Sequence, residues 1–265
     1  IGGRTALDYL IKVKEIPFTE AVERIVGRAA ERPSVFHARA QPEKPKTLLL
    51  PPKSNSNTRV IAYLKSRGID GGLIEQCIRS GQLYESLPYH NAVFVGMDRN
   101  GTPRYACLRG IGTDFKGEAT GSDKRFSFAL PATGESRMLC VFESAIDLLS
   151  YATMAQAGGL SWRSQHLLSL AGVYKPQKET QEHRLPLALT QYLKDHAEIK
   201  TICLCLDNDM TGRSATEAIR QQLAERYKVA SAFPRQGKDY NDWLCIRMGL
   251  QPAKENPMTE RSFAR

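Results

Sequence analysis

Apolar positions recur at helical spacing from the start of the chain. Ala6, Leu7, Leu10 and Val13 form one such set, and Ala21, Val22, Ile25 and Val26 form another after Pro17 and a capping Thr19. Two short amphipathic helices are the expectation. The rhythm lapses from Glu31 to Asn57, where Pro33, Pro42, Pro45, Pro51 and Pro52 interrupt a polar stretch that predicts a linker. It resumes with Val60, Ile61 and Leu64, then Leu73, Ile74, Cys77 and Ile78, which predict a helical pair between Thr58 and Gly81. Alternating and β-branched runs follow. Ala92 to Val95 and Arg104 to Leu108 flank Asp98-Arg99-Asn100-Gly101, a hairpin signal. A further short strand is expected from Phe126 to Ala129, before Pro131.

Beyond Glu135 the period switches again and again. Strands are expected at Met138 to Phe142, His166 to Leu170, Thr201 to Leu206 and Val229 to Phe233. Helices are expected at Ala145 to Ala155, Leu187 to His196 (with Pro186 suited to the first turn) and Ser214 to Tyr227. Near-continuous apolar strands alternating with helices predict an α/β fold whose sheet is mostly parallel and covered on both faces.

Composition narrows the class. The 265 residues are 42% hydrophobic and 25% charged, which suits a folded globular chain rather than a disordered one. Apolar runs such as Ile202 to Leu206 fall far short of the ~20 residues of a membrane span, so no membrane partner is expected. No basic-then-apolar leader opens the sequence, and a cytoplasmic setting is the expectation. A net charge of +9 and a pI near 9.3 favour a polyanionic partner. The six cysteines (77, 107, 140, 203, 205 and 245) show neither a zinc-knuckle gap nor a CxxC pair. Cys203 and Cys205 should share one face of a strand and pack in the core. His166, His183 and His196 show no ligand spacing.

The chemistry concentrates at strand ends. Glu143 directly follows the Met138–Phe142 run, and Asp207 and Asp209 follow Thr201–Leu206. In a parallel sheet these acids leave the same carboxyl edge, where such folds bind ligands. Clustered carboxylates repel, and a hard divalent cation such as Mg²⁺ (or Mn²⁺) relieves them. The alternative is that each acid simply sits at a helix N-terminus, favoured by the dipole. Asp147 lies one helical turn after Glu143 and is explained equally well by either reading.

Val-Phe-Glu143-Ser-Ala-Ile-Asp147, followed by Leu-Asp207-Asn-Asp209-Met-Thr-Gly212, resembles the paired signature motifs of the Toprim domain, shared by DnaG-type primases, topoisomerases and some nucleases. Gly237-Lys238-Asp239-Tyr240-Asn241-Asp242 is similar to the acidic segment after the last Toprim strand of primases. Asn241 occupies the place of the second Asp, and Asp242 comes one residue later. The stretch from Val95 to Gly110, with Arg109, and that from Gly121 to Phe126, with Lys124, resemble the primase subdomain that packs on the Toprim sheet. Residues from Gly2 to Val22 are similar to the helical tail of a CHC2-type zinc-binding domain, whose ligands would precede residue 1, so no zinc is expected in this chain. The whole arrangement is most similar to Toprim proteins of bacterial conjugative elements.

The resemblance implies four segments: a helical tail (1–32), a linker (33–57), an α+β primase-like subdomain (58–135) and a Toprim domain with a C-terminal extension (136–265). It implies a nucleotidyltransferase that makes RNA primers on single-stranded DNA from nucleoside triphosphates, with a helicase or relaxase as a further partner. Glu143, Asp207 and Asp209 would be catalytic and, with Asp239, would hold metal; Asp147 and Asp242 would support them. Arg109, Lys124, Arg104 and Arg125 would bind nucleic acid or nucleotide. Between Arg99 and Arg125, six basic residues face three acidic ones, so a basic wall opposite the acids is expected. Two alternatives use the same residues differently: a Toprim nuclease, and a non-catalytic DNA-binding module of a mobile element.

Overall fold

The computed structural model describes residues 9–11, 14, 16–17, 20–22, 47–172 and 185–252. Ile1–Pro45 and Lys46–Arg265 form separate compact units. In the first, the described residues 9–11 and 20–22 are helical and 14 and 16–17 are not; the rest of the expected helical tail, and 31–46 of the expected linker, lie outside the described residues. Among the described residues no helix is long and apolar enough to cross a membrane.

The second unit opens with 47–57. These residues belonged to the expected linker, but they hold to the structure that follows. Leu48 and Leu50 pack on Tyr84, Val93, Val95 and Ala106. Leu49 donates its N–H to the Thr120 carbonyl, and Ser54 donates to that of Glu85. Helices α1 (Thr58–Ser66) and α2 (Gly71–Arg79) follow as expected, with Val60, Leu64, Leu73 and Ile74 buried along their apolar stripes. Asp70 caps α2 by accepting the N–H of Leu73. Strands β1 (Leu83–Glu85), β2 (Ala92–Met97), β3 (Pro103–Arg109) and β4 (Lys116–Glu118) form an antiparallel sheet in that order. The β2–β3 turn is held by Asp98, whose Oδ1 accepts from the N–H groups of Asn100 and Thr102, and Gly101 supplies a φ of +75°.

The strand expected from Phe126 to Ala129 is corrected. Lys124–Phe126 is a 3₁₀ turn, started by Asp123 accepting the N–H of Arg125. Its Phe126 carbonyl lies so close to Gly96 that a Cβ there would come within 1.7 Å of it. The strand begins only at β5 (Ala129–Leu130), which pairs with the second sheet rather than the first.

That second sheet runs β5-β7-β6-β8-β9, with β6 (Met138–Phe142), β7 (His166–Ser169), β8 (Thr201–Cys205) and β9 (Lys228–Ser231) parallel and β5 antiparallel at one edge. Helices α3 (Ala145–Ala157), α4 (Leu187–Asp195) and α5 (Met210–Leu223) connect the parallel strands, and α6 (Tyr240–Arg247) follows β9. Helix α5 starts and stops earlier than the periodicity predicts, because Asp209 accepts the N–H of Gly212 and sets the first turn at Met210.

Side-chain alternation divides the sheet into two faces. Leu139, Val141, Ile202 and Leu204 pack with Ala188, Leu189 and Leu193 of α4 and Ile219 and Leu223 of α5. Cys140, Phe142 and Cys205 point the other way, toward Leu148 and Leu149 of α3 and Leu244 of α6. The same cluster continues through Val60, Leu64, Ile74, Phe94 and Phe128, so the antiparallel layer and the parallel sheet share one core. Each fully buried Leu or Phe there contributes about 1.5–3 kcal/mol.

Candidate active site

Strands β6 and β8 are parallel neighbours with Phe142 opposite Cys205. The residues that follow therefore leave the sheet side by side, and Glu143 Oε1 accepts the Asp207 N–H at 3.2 Å. The fold needs a glycine at 212: a Cβ there would sit 2.2 Å from the Asp207 carbonyl oxygen and 2.9 Å from Glu143 Oε1. The Asn208 N–H donates to the Lys238 carbonyl at 2.7 Å, which draws the third acidic segment onto the same edge. There Asp239 caps α6 by accepting the Asp242 N–H at 2.7 Å, and the Asp242 carboxylate accepts the Lys238 N–H at 3.0 Å.

Asp147 completes the group from the first turn of α3. It is buried, accepts from Ser144 Oγ at 2.5 Å and accepts the Asn241 N–H at 3.3 Å. Asn241 is itself buried, and its side-chain amide donates to the Arg67 carbonyl and to Ser150 Oγ, each at 3.0 Å. The position where the sequence motif shows Asn for Asp is thus a packing position, while Asp242 orders the turn.

The carboxylates feel one another. Burial, then Asp147, Glu143 and Asp239, push Asp207 up from 3.8 to about 8 against the pull of Lys238. Burial and Asp147 push Asp239 up to about 7, with Arg67 opposing. Glu143 is raised by burial, with Asp209 and Asp147 adding to it and the Asp207 N–H acting against it. Asp147 is raised by burial, with Ser144, Asn241, Arg109 and Arg67 opposing. The Lys238 ammonium lies 3.9 Å from Asp207 Oδ2 and 3.7 Å from Asp209 Oδ2. An all-oxygen donor set in which burial and neighbouring carboxylates push Glu143, Asp207 and Asp239 upward fits a hard divalent cation.

The expected basic residues divide. Arg109 ends β3, and its charge opposes the upward push on Asp147. Lys124 pairs with Glu118 at 2.9 Å. Glu118 stands opposite Cys107 in the sheet, so it shares the face that also carries Arg109. Arg104 sits at the register irregularity of the β2–β3 pair, between Pro103 and Tyr105. It lies over the Phe126 ring at 5.4 Å, beside Arg125, whose guanidinium grips Asp123 at 2.6 Å. Arg104 and Arg125 thus gather at the Phe126 ring, while Lys124 reaches Glu118.

Arg67 and Lys238 belong to the pocket, yet sequence reading passed over both. Arg67 follows α1 and donates to Asn241 Oδ1 at 2.7 Å across 174 residues, a contact with no local signal. Lys238 could have been found, since it lies inside the Gly237–Asp242 segment already singled out.

Two family models match the chain: one described as a protein of unknown function (DUF3991) over residues 62–134, and one described as Toprim-like over 140–244. The "65 kDa protein" of Zymomonas mobilis subsp. mobilis is 26% identical over 212 residues, covering 76% of this chain and 33% of the relative. An uncharacterized protein of Bacillus anthracis is 27% identical over 168 residues, covering 59% of this chain and 44% of the relative. The chain thus spans under half the length of both curated relatives. A solved structure of the DnaG catalytic core is similar at a TM-score of 0.49 and 14% identity, covering 73% of this chain and 70% of that one. The parallel sheet, its acidic carboxyl edge and the family match over residues 140–244 identify that part of the chain as a Toprim-like domain.

Proposed function

We propose that this chain is the core of a primase-like nucleotidyltransferase that joins ribonucleotides on a single-stranded DNA template. The observation that carries the reading is the convergence of Glu143, Asp207, Asp209 and Asp239, with Asp147 behind them, on one sheet edge where Asp207 and Asp239 are pushed to about 8 and about 7. Glu143, Asp207, Asp209 and Asp239 would hold Mg²⁺ (or Mn²⁺). Bound there, the ion would activate the attacking hydroxyl and neutralise charge on the phosphoryl group. Glu143, raised by burial, is poised to take the hydroxyl proton at its free carboxylate oxygen. Arg109 and Lys124, on one face of the antiparallel sheet, would hold template or triphosphate phosphates. Ser144 and Asn241 fix the Asp147 carboxyl behind the pocket. By its resemblance, the enzyme would serve replication or transfer of a mobile element.

The test is incorporation of labelled ribonucleotides on single-stranded DNA with Mg²⁺. Template-dependent products lost in the Asp207→Ala, Asp209→Ala double variant support the proposal. Shortening of the DNA without nucleotides would make the same pocket a nuclease. DNA affinity unchanged in the double variant, with neither activity in the parent chain, would leave a binding module.

A further inference from the structure

A second cluster of metal-binding side chains lies at the other edge of the same parallel sheet. Glu143 follows the carboxyl end of β6, whereas His166 opens β7 at its amino end. His196 caps the C-terminus of α4, and Glu198 sits in the connection from α4 to β8. Parallel topology brings those two to the amino edge beside His166. One ligand atom from each of the three residues lies within 4.8 Å of the others. No local signal announces the cluster, because the two histidines stand thirty residues apart with no ligand spacing.

The imidazole of His166 is the decisive observation. Its side chain is only 4% exposed, and Nε2 has no hydrogen-bond partner among the described residues. The main chain of Ser136 comes near the ring without meeting hydrogen-bond geometry. Nε2 lies 3.9 Å from Glu198 Oε1, too far for a hydrogen bond. Nδ1 is 3.0 Å from the Tyr192 hydroxyl and 3.5 Å from the donating Ala132 N–H, so an ion at Nε2 requires the tautomer in which the Tyr192 oxygen takes the Nδ1 proton and the long Ala132 contact is given up. His196 Nδ1 meets the same Glu198 oxygen at 2.9 Å, and its ring stands 4.7 Å from that of His166. A buried, unpartnered polar atom costs about 1–3 kcal/mol, which a ligand would relieve.

We propose that His166, His196 and Glu198 bind a borderline divalent transition ion of the Zn²⁺ class, at a site separate from the carboxylate pocket. Two imidazoles and one carboxylate suit such an ion far better than Mg²⁺, which prefers oxygen. Tetrahedral bonds of about 2.0–2.1 Å place ligand atoms roughly 3.3 Å apart, so the three groups close inward modestly. Glu198 can move, being 48% exposed, and its side gives solvent a route for the ion and for a water as fourth ligand. The ion ties the α4–β8 connection to the start of β7. The proposal is independent of the nucleotidyltransferase reading.

The test is calorimetric titration of the EDTA-stripped full chain with Zn²⁺ in excess Mg²⁺, with Co²⁺ absorption as a second readout. One Zn²⁺ per chain is expected, weakened at least ten-fold in Glu198→Gln and in His196→Gln and unchanged in Asp207→Asn. Co²⁺ should give visible bands without thiolate charge transfer. His166→Gln removes a buried group and can unfold the chain, so the two more exposed variants decide. Zn²⁺ binding lost in Asp207→Asn but kept in Glu198→Gln would overturn the assignment. A thiolate band would also overturn it, by moving the ion to Cys140, Cys203 and Cys205, which also cluster. So would the absence of Zn²⁺ binding.

Discussion

Asp207→Asn should make the metal-free protein more stable, and increasingly so as pH rises. The carboxyl goes from 3.8 in the unfolded chain to about 8 in the fold. Between those values the folded state keeps a proton that the unfolded state has released, so wild-type stability falls as pH climbs through that window. A gap of about 4 units at about 1.4 kcal/mol each sets a ceiling near 6 kcal/mol once pH reaches 8. Solvent reaching the 15% of the side chain that stays exposed, and movement of neighbouring acids, leave roughly 2–3 kcal/mol. Asparagine is neutral throughout and keeps the shape. Urea unfolding in EDTA at about pH 5, 6.5 and 8 measures this: the gap between the two proteins should be smallest at the acid end and widen toward pH 8. With saturating Mg²⁺ the wild type should regain stability and the variant should gain little. A variant no more stable than wild type at pH 8, or a flat wild-type profile, would refute the crowded-carboxylate account.

Three further outcomes are expected. Gly212→Ala forces a Cβ against the Asp207 carbonyl, so α5 must shift; a loss of about 1–3 kcal/mol and a weaker Mg²⁺-induced rise in Tm should follow by thermal unfolding. Ser144→Ala removes the cap of α3 and the 2.5 Å bond to Asp147, costing about 0.5–2 kcal/mol by urea titration and raising the Asp147 carboxyl further, readable by carboxyl-labelled NMR titration. Arg67→Met breaks the charged bond to Asn241 and withdraws the cation that restrains Asp239; stability should fall by about 1.5–3 kcal/mol, with the Asp239 titration moving upward in the same NMR experiment.

What was legible in the sequence followed from local rules. The Asn-Gly turn between apolar runs gave the β2–β3 hairpin, and the near-continuous apolar runs at 138–142 and 201–205 gave strands of a parallel sheet. Acids placed directly after those strands could be read as neighbours because parallel strands deliver their ends to one edge. What failed was set by tertiary contact. The backbone at Phe126 is held against Gly96, so a segment of strand-like composition became a turn. Residues 47–57 read as linker because their prolines hid Leu48 and Leu50, whose partners lie on a sheet formed later in the chain. Charge can be counted along a chain, but the count does not announce that Arg104 and Arg125 both lie over the Phe126 ring. Arg67 and the His166–His196 pair depend on contacts across long stretches that no periodicity announces.

The core that runs from Val60, Leu64 and Phe94 through Phe142 to Leu148 and Leu244 bears on how the protein can be taken apart. A cut near residue 135 would not release two self-sufficient pieces; it would leave α3 and α6 with a bare oily flank. Such a half would clump in dilute buffer, and evolution could not readily exchange one layer for a foreign one without redrawing the seam between them.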